Sequence, residues 1–316
     1  MQTRNRFQYE VATGRITLPV ASLIAIIVWL ITSLDNTLED WTQVGSLLTA
    51  GFIAYVLIEM DTKFALIRTR TTMPSSLFLV FFAALPFLHG WTVDLFLPVL
   101  FLLLLSSLFK SYESPYASVP IFHAFFWLGI MSLILPTIIW LAPLMYLHMI
   151  PLRSLDARSF FAGLIGISIP YWFLLGYYVY IGNISGFLEK SCSLIQFQPI
   201  DYTMLQLDQW ISWGIILLLY ITFTILYSQS AFKDKVQTRI ILKIIIFMGF
   251  WMHLFILLQP QYVNQLLPLA ILPGTIIGGH LFALTNNKPT YIVFIITLSI
   301  CGLLCLFNLW MLFFNF

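Results

Sequence analysis

The chain has 316 residues, of which 60% are hydrophobic, 17% aromatic and 9% charged, with a formal net charge of +2. Charged residues make up about 25% of ordinary soluble domains, so this composition excludes that class. A mean hydropathy of +0.94 is typical of a protein embedded in a bilayer. We interpret the chain as an all-α polytopic transmembrane helical bundle and treat residues 1–316 as a single membrane-embedded domain.

Eleven apolar stretches follow one another along the chain, and each is a candidate membrane crossing. They are residues 16–34, 44–60, 75–88, 95–109, 117–135, 137–150, 160–180, 209–228, 240–258, 266–284 and 290–313. The first stretch lacks a small-residue cleavage site, so we expect it to be retained rather than removed as a signal peptide.

Two pairs of stretches are each too long for one helix. A single helix over 75–109 or 116–150 would be about 50 Å long, against a hydrocarbon core of about 30 Å. Each pair begins and ends beside basic residues, Arg70 and Lys110 for the first and Lys110 and Arg153 for the second. The sequence therefore predicts two short helical hairpins.

The placement of Lys and Arg predicts the orientation of the chain. With eleven crossings and the N-terminus inside, fourteen of the fifteen basic residues lie on the inner side and only Lys190 lies outside. This asymmetry is what the positive-inside rule requires, and it puts the C-terminus outside. The same topology gives the outer side seven acids: Asp35, Glu39, Asp40, Asp94, Glu189, Asp201 and Asp208.

The first outer loop, SLDNTLEDW, concentrates three of these acids directly after the first crossing. An ionised carboxylate there could activate an acceptor hydroxyl, or hold a divalent metal ion beside a lipid-linked phosphate. Helix capping is the alternative, because Asn36 and Glu39 have the spacing of a capping box. Asp35 is the first candidate catalytic residue and Asp40 the second.

The second outer turn, HGWTVD, contains His89 and Asp94. A histidine can accept or donate a proton near neutral pH, so the turn could join Asp35 in one site. Asp94 is then a third catalytic candidate and His89 a substrate-binding candidate. Anchoring at the membrane surface explains the same residues equally well.

The long outer loop, residues 181–208, is the largest segment outside the predicted crossings. Its length and its apolar content predict an amphipathic cover or lid over the membrane face. Lys190, the one basic group on an acidic face, is a candidate for binding a phosphate. Asp208, at the end of this loop, could instead be the N-cap of the next helix.

Histidines inside the predicted crossings are His123, His253 and His280, and each lies on a separate helix. A neutral ring hydrogen-bonded to a neighbouring helix is the expected state of each. None of the thirteen acids is at mid-membrane, which weighs against a proton-driven transporter. The chain also lacks CxxC, HExxH and glycine-rich phosphate motifs, and no nucleic-acid partner is expected.

The segment PLMYLHMIPLRSLDARSFFAGLIGISIPYWFLLGYYVYIG, with the short hairpins before it, resembles an uncharacterised family of bacterial multi-pass inner-membrane proteins. The close resemblance spans roughly residues 70 to 182. The helix order and the acid after the first crossing more remotely resemble the GT-C superfamily of polyprenyl-phosphate-sugar-dependent glycosyltransferases. In those enzymes the catalytic acid lies in the first outer loop, which would assign the role to Asp35 or, less well, Asp40. Their first loop is usually much longer than the loop found here.

Two functions are consistent with these observations. The resemblance implies a transferase that uses a polyprenyl-phosphate-linked sugar at the outer face of the bacterial inner membrane, in contact with membrane lipid. The alternative is a non-catalytic subunit or carrier of a cell-envelope assembly or transport complex, with a membrane-protein partner. In that case the outer acids are only helix caps and solvated side chains.

Overall fold

The structure, a computed structural model, describes residues 6–34, 40–196 and 199–314. These residues form thirteen α-helices and no β-strand, which confirms the all-α class. The helices are α1 (Arg6–Thr13), α2 (Thr17–Thr32), α3 (Asp40–Phe64), α4 (Met73–Ala83), α5 (Phe96–Phe109), α6 (Ser118–Ile134), α7 (Leu141–Met149), α8 (Ala157–Tyr180), α9 (Ile184–Cys192), α10 (Leu207–Ser230), α11 (Val236–Leu258), α12 (Val263–Leu284) and α13 (Lys288–Phe314).

Each predicted apolar stretch contains one helix, in the order α2 to α8 and then α10 to α13. Within the described ranges, six helical segments are long and apolar enough to cross a membrane, those built on α3, α8, α10, α11, α12 and α13. The pair α1 and α2, bent by 83°, would be a seventh if it counts as one span. The helices thus have the length and composition of a multi-pass membrane protein. The helices α4 to α7 are shorter.

The chain divides into two compact units. Unit 1 comprises Met1–Leu95 and Ile200–Phe316, and unit 2 comprises Phe96–Pro199. In unit 1, α12 contacts α1, α4, α10, α11 and α13. A helix that is apolar on all sides is expected at the centre of a bundle, and 94% of the most apolar part of α12 is buried.

Small residues let the neighbours of α12 approach closely. A Cβ added at Gly279 would lie 2.6–2.7 Å from Cγ, Cδ and N of Pro74, at the start of α4. A Cβ at Gly278 would lie 2.9 Å from the ring of Phe223 in α10. The absence of side chains at these two positions therefore allows α4 and α10 to pack directly on the backbone of α12.

In unit 2, the segment between α5 and α8 closes on itself. Pro136 starts a 3-10 turn, Pro136–Trp140, that separates α6 from α7. The backbone N–H of Glu113 donates to the carbonyl of Leu152 at 3.0 Å, and Arg153 forms an ion pair with Glu113 at 2.9 Å. The segment that follows α7 therefore lies beside the segment that precedes α6.

Candidate functional site

Two predicted site residues belong to the first outer loop. Asp35 lies outside the described residues, which resume at residue 40. Asp40 is the first residue of α3, and its side chain is likewise outside the described part. Their catalytic roles therefore stay predictions from the sequence.

His89 is packed in the core of unit 1. Its side chain is fully buried and stacks on Trp29, with 3.7 Å between the ring centroids and 11° between the planes. Thr32 Oγ1 lies 3.2 Å from Nδ1. Burial lowers the pKa of His89 to about 3, and the carbonyls of Phe82 and Ala83 oppose this shift only in part. The ring is uncharged at neutral pH, and these are the contacts of a packing residue.

The pKa of His89 predicts that the protein loses stability in mild acid. The unfolded chain takes up a proton near pH 6.5, whereas the folded chain does so only near pH 3. Stability from the neutral ring is thus complete above pH 6.5 and falls as the pH drops, by about 2 kcal/mol at pH 5. Unfolding of the detergent-solubilised protein at pH 7 and pH 5 measures this loss. His89→Phe keeps an aromatic ring that does not titrate, so an equal loss in that variant would contradict the prediction.

Asp94 takes part in a polar network at the predicted outer end of unit 1. It lies half-buried in a 3-10 turn, and its Oδ2 accepts a hydrogen bond from Nε2 of Gln265 at 3.3 Å. The preceding residue, Asn264, accepts from Nε2 of Gln209 at 3.0 Å. These bonds connect the second outer turn and the first turns of α10 and α12.

The sequence suggested Asp208 as the N-cap of α10, but the structure places it elsewhere. Gln206 holds that position, and its side chain forms a capping box with Gln209. Asp208 lies in the first turn, where a negative charge favours the helix dipole. Its Oδ1 is buried without a hydrogen-bond partner in the described structure. This oxygen can accept a hydrogen bond from water or from a ligand.

A cleft of about 290 Å³ opens beside Asp208, and we call it the outer cleft. Its lining residues are Pro86, Phe87, Gln206, Leu207, Asp208, Asn308, Met311 and Leu312. Pro86 and Phe87 come within three residues of His89, where the predicted second outer turn begins. The volume is near the lower end of the range for small-molecule sites.

The side-chain amide of Asn308, which lines the outer cleft, is held in place by hydrogen bonds. Its Nδ2 donates to the carbonyl of Ala84 at 2.8 Å and contacts Oγ of Ser212 at 3.0 Å. The side chain is only 2% exposed, so these bonds hold it in one orientation. The carboxylate of Asp208, in a cleft whose wall includes the fixed Asn308, can accept hydrogen bonds from a ligand that carries hydroxyl groups.

Lys190 belongs to unit 2, whereas Asp94 and the outer cleft belong to unit 1. It lies in the last turn of α9, the helix formed by the long outer loop. Gly186 and Phe187 of α9 pack against Tyr178 of α8. The loop thus contains a helix that packs on a predicted crossing. The ammonium group of Lys190 has no ion-pair partner among the described side chains.

A buried polar cluster that the sequence did not reveal lies at the predicted inner end of unit 1. Nε2 of His280 lies 3.3 Å from Oδ2 of Asp234, although without hydrogen-bond geometry, and both side chains are 3% exposed. Arg68 approaches the other oxygen of Asp234 at 3.6 Å. The ring of Tyr227 meets His280 edge-on. The cluster holds the turn between α10 and α11 against α12.

Among the described residues, no three His, Cys, Asp or Glu side chains are grouped so that they could hold a metal ion. A carboxylate of the first outer loop could hold a divalent ion, and the side chains of Asp35, Glu39 and Asp40 lie outside the described part. Comparison with models of protein families, with curated proteins and with solved structures found no match for this chain. Its own residues are therefore the guide to its activity.

Proposed function

We propose that the protein is a GT-C-like glycosyltransferase, which moves a sugar from a polyprenyl-phosphate carrier to an acceptor at the outer face of the bacterial inner membrane. The outer cleft is the observation that supports this proposal. It combines the unpartnered carboxylate oxygen of Asp208 with the fixed amide of Asn308 in a space suited to a small polar ligand.

The proposal includes eleven crossings, with the N-terminus inside and the C-terminus outside. Eleven apolar helices in the predicted order are consistent with it. The bond between Glu113 and Leu152 holds the two ends of the second hairpin together, so the basic residues beside those ends face the same side of the membrane. This supports the inner assignment of Lys110 and Arg153 whether or not the short helices α6 and α7 cross the whole bilayer.

The proposed reaction requires a carboxylate and a site for phosphate. The carboxylate takes the proton of the acceptor hydroxyl, whose oxygen bonds to the anomeric carbon of the sugar. The bond between that carbon and the phosphate oxygen breaks, and polyprenyl phosphate leaves with the electron pair. Asp208 or Asp35 would be the base. Lys190 stays the candidate that the sequence predicts for binding a phosphate. Asp94 would hold the second outer turn against the start of α12 through Gln265.

The first test of this proposal is removal of the whole protein from its host. Loss of a transferase predicts glycans that lack one sugar, together with accumulation of the polyprenyl-linked donor. Mass spectrometry of released glycans and of extracted lipids measures both quantities. If both stay at their normal levels, the transferase proposal is wrong.

Asp35→Asn tests the residue that the resemblance to GT-C enzymes favours. At unchanged expression, this variant should reproduce the truncated glycans of the deletion strain if Asp35 is the base, since an amide cannot accept the proton of the acceptor hydroxyl, and it should give normal glycans if Asp208 is the base. Asp61→Asn is the control and should give normal glycans, because Asp61 is predicted to lie on the opposite, inner side of the membrane. Normal glycans in Asp35→Asn would exclude this residue as the base.

A non-catalytic membrane subunit or carrier is the second candidate function. It is favoured by the contacts of the outer polar residues, because Asp201 caps a turn through Thr203, Asp94 bonds Gln265 and His89 is packed in the core. If deletion truncates the glycans but Asp35→Asn and Asp208→Asn both leave them normal, the protein supports another enzyme and is not itself the transferase.

A further inference from the structure

An apolar groove of about 480 Å³ lies in unit 1 and shares no lining residue with the outer cleft. Its walls come mainly from α1, the first half of α2 and α4, with residues such as Val11, Val20, Ile24 and Leu77. Glu10 and Arg15 are the two charged residues among those that line it. The volume is within the range of sites that bind small apolar ligands.

The groove is built by a sharp turn that the sequence fixes in several ways. The helices α1 and α2 meet at 83°, and an added Cβ at Gly14 would overlap the carbonyl oxygen of Glu10. Thr17 donates its hydroxyl back to the carbonyl of Val11 across the turn. Nε2 of Gln8 donates to the carbonyls of Phe282 and Thr285, at 2.9 and 2.8 Å. Because α1 is anchored at both ends, the groove is preformed.

The mouth of the groove carries a positive charge. Arg15 is exposed and forms no ion pair with any residue in the described ranges, whereas Glu10 is already engaged in an interaction. The first turn of α2 begins beside Arg15 and has no side-chain cap, which adds partial positive charge. A short helix bent away from a crossing helix is typical of the membrane surface, where lipid phosphates lie.

We propose that this groove binds an acyl chain of an anionic glycerophospholipid and that Arg15 contacts the lipid phosphate. The apolar walls match the acyl chain, and the exposed guanidinium matches the negative headgroup. The site does not depend on the proposed transferase activity. It would hold one lipid in place beside the N-terminal end of α2, whereas the other lipids around a membrane protein exchange freely.

Native mass spectrometry of the purified full-length protein tests this proposal, with phosphatidylglycerol and phosphatidylcholine of identical acyl chains as probes. We expect one tightly held phosphatidylglycerol per chain and weaker retention of phosphatidylcholine. Arg15→Gln should lower the preference for phosphatidylglycerol about fivefold, which corresponds to roughly 1 kcal/mol per basic residue at a membrane surface. Val20→Trp, which fills the groove, should reduce retention of both lipids.

Two matched variants make the test specific. Arg70→Gln removes another exposed arginine that does not line the groove, and Leu23→Trp enlarges an exposed residue of α2 outside it. Both should retain the lipid as the wild-type protein does. Equal loss in Arg15→Gln and Arg70→Gln, or equal retention of the two lipids by the wild-type protein, would overturn the proposal. Size-exclusion profiles identify any variant that has failed to fold, and Ile24→Trp then takes the place of Val20→Trp.

Discussion

Replacement of Asp208 by Asn is expected to slow sugar transfer by about 10²- to 10⁴-fold, the usual contribution of a general base. The substitution keeps the shape of the side chain but removes its ability to accept a proton. The charge at the start of α10 is also lost, which costs only about 0.5 kcal/mol of stability. Transfer measured in vesicles that contain the donor should therefore fall while the unfolding transition hardly moves.

Asp201→Asn is the matched control for this experiment. Asp201 lies in the same outer loop, is not part of the outer cleft and caps a turn by accepting from the N–H and the hydroxyl of Thr203. Hydrogen bonds from Thr203 lower the pKa of Asp201, and an Asn side chain can fill the same capping role. Equal loss of transfer in the two variants would show that Asp208 has no special role.

Gly279→Ala should destabilise the protein strongly, by about 3 kcal/mol, at the upper end of the range for overpacked sites. The new methyl group would meet the ring and the backbone nitrogen of Pro74 at 2.6–2.7 Å. Neither can move without displacing the start of α4 from α12. Titration of the detergent-solubilised protein with a denaturing detergent measures the loss of unfolding free energy.

Gly274→Ala in the same helix provides the comparison. A Cβ at Gly274 meets only Tyr220, at 3.8–3.9 Å, which is ordinary van der Waals contact. Because alanine is the better helix former, this change should be neutral or stabilise by up to about 1 kcal/mol. If the two alanine variants unfold alike, the close contact of α4 with α12 does not limit stability.

The positions of the helices could be predicted because they depend on local composition. Each apolar stretch contains a helix, and the break before α7 occurs at Pro136, where a proline cannot continue the hydrogen-bond pattern. The first-turn position of Asp208 was harder to predict. A cap made by Gln206 and Gln209 lacks the usual Ser, Thr, Asp or Asn, so Asp208 appeared to be the better cap.

Contacts between residues far apart in the sequence could not be predicted from one sequence. Asp234 lies in the turn between α10 and α11 and His280 lies in α12, and no local pattern indicates that they meet. The expectation that the histidines of the crossings bond to neighbouring helices is wrong for His253 and His280, whose ring nitrogens have no hydrogen-bond partner in the described residues. The ring of His253 instead lies against Tyr220 at 5.0 Å.

The short helix α7 has a consequence for the lipid around the protein. Its nine residues span only about 14 Å, less than half of a hydrocarbon core of about 30 Å. Leu147 and Ile150, at the end of this helix, are about 60% exposed. In the proposed topology of eleven crossings, acyl chains beside α7 would have to shorten or tilt to match it, whereas the 27 residues of α13 are long enough for a full bilayer. That topology therefore predicts a preference for bilayers that are thin or easily deformed.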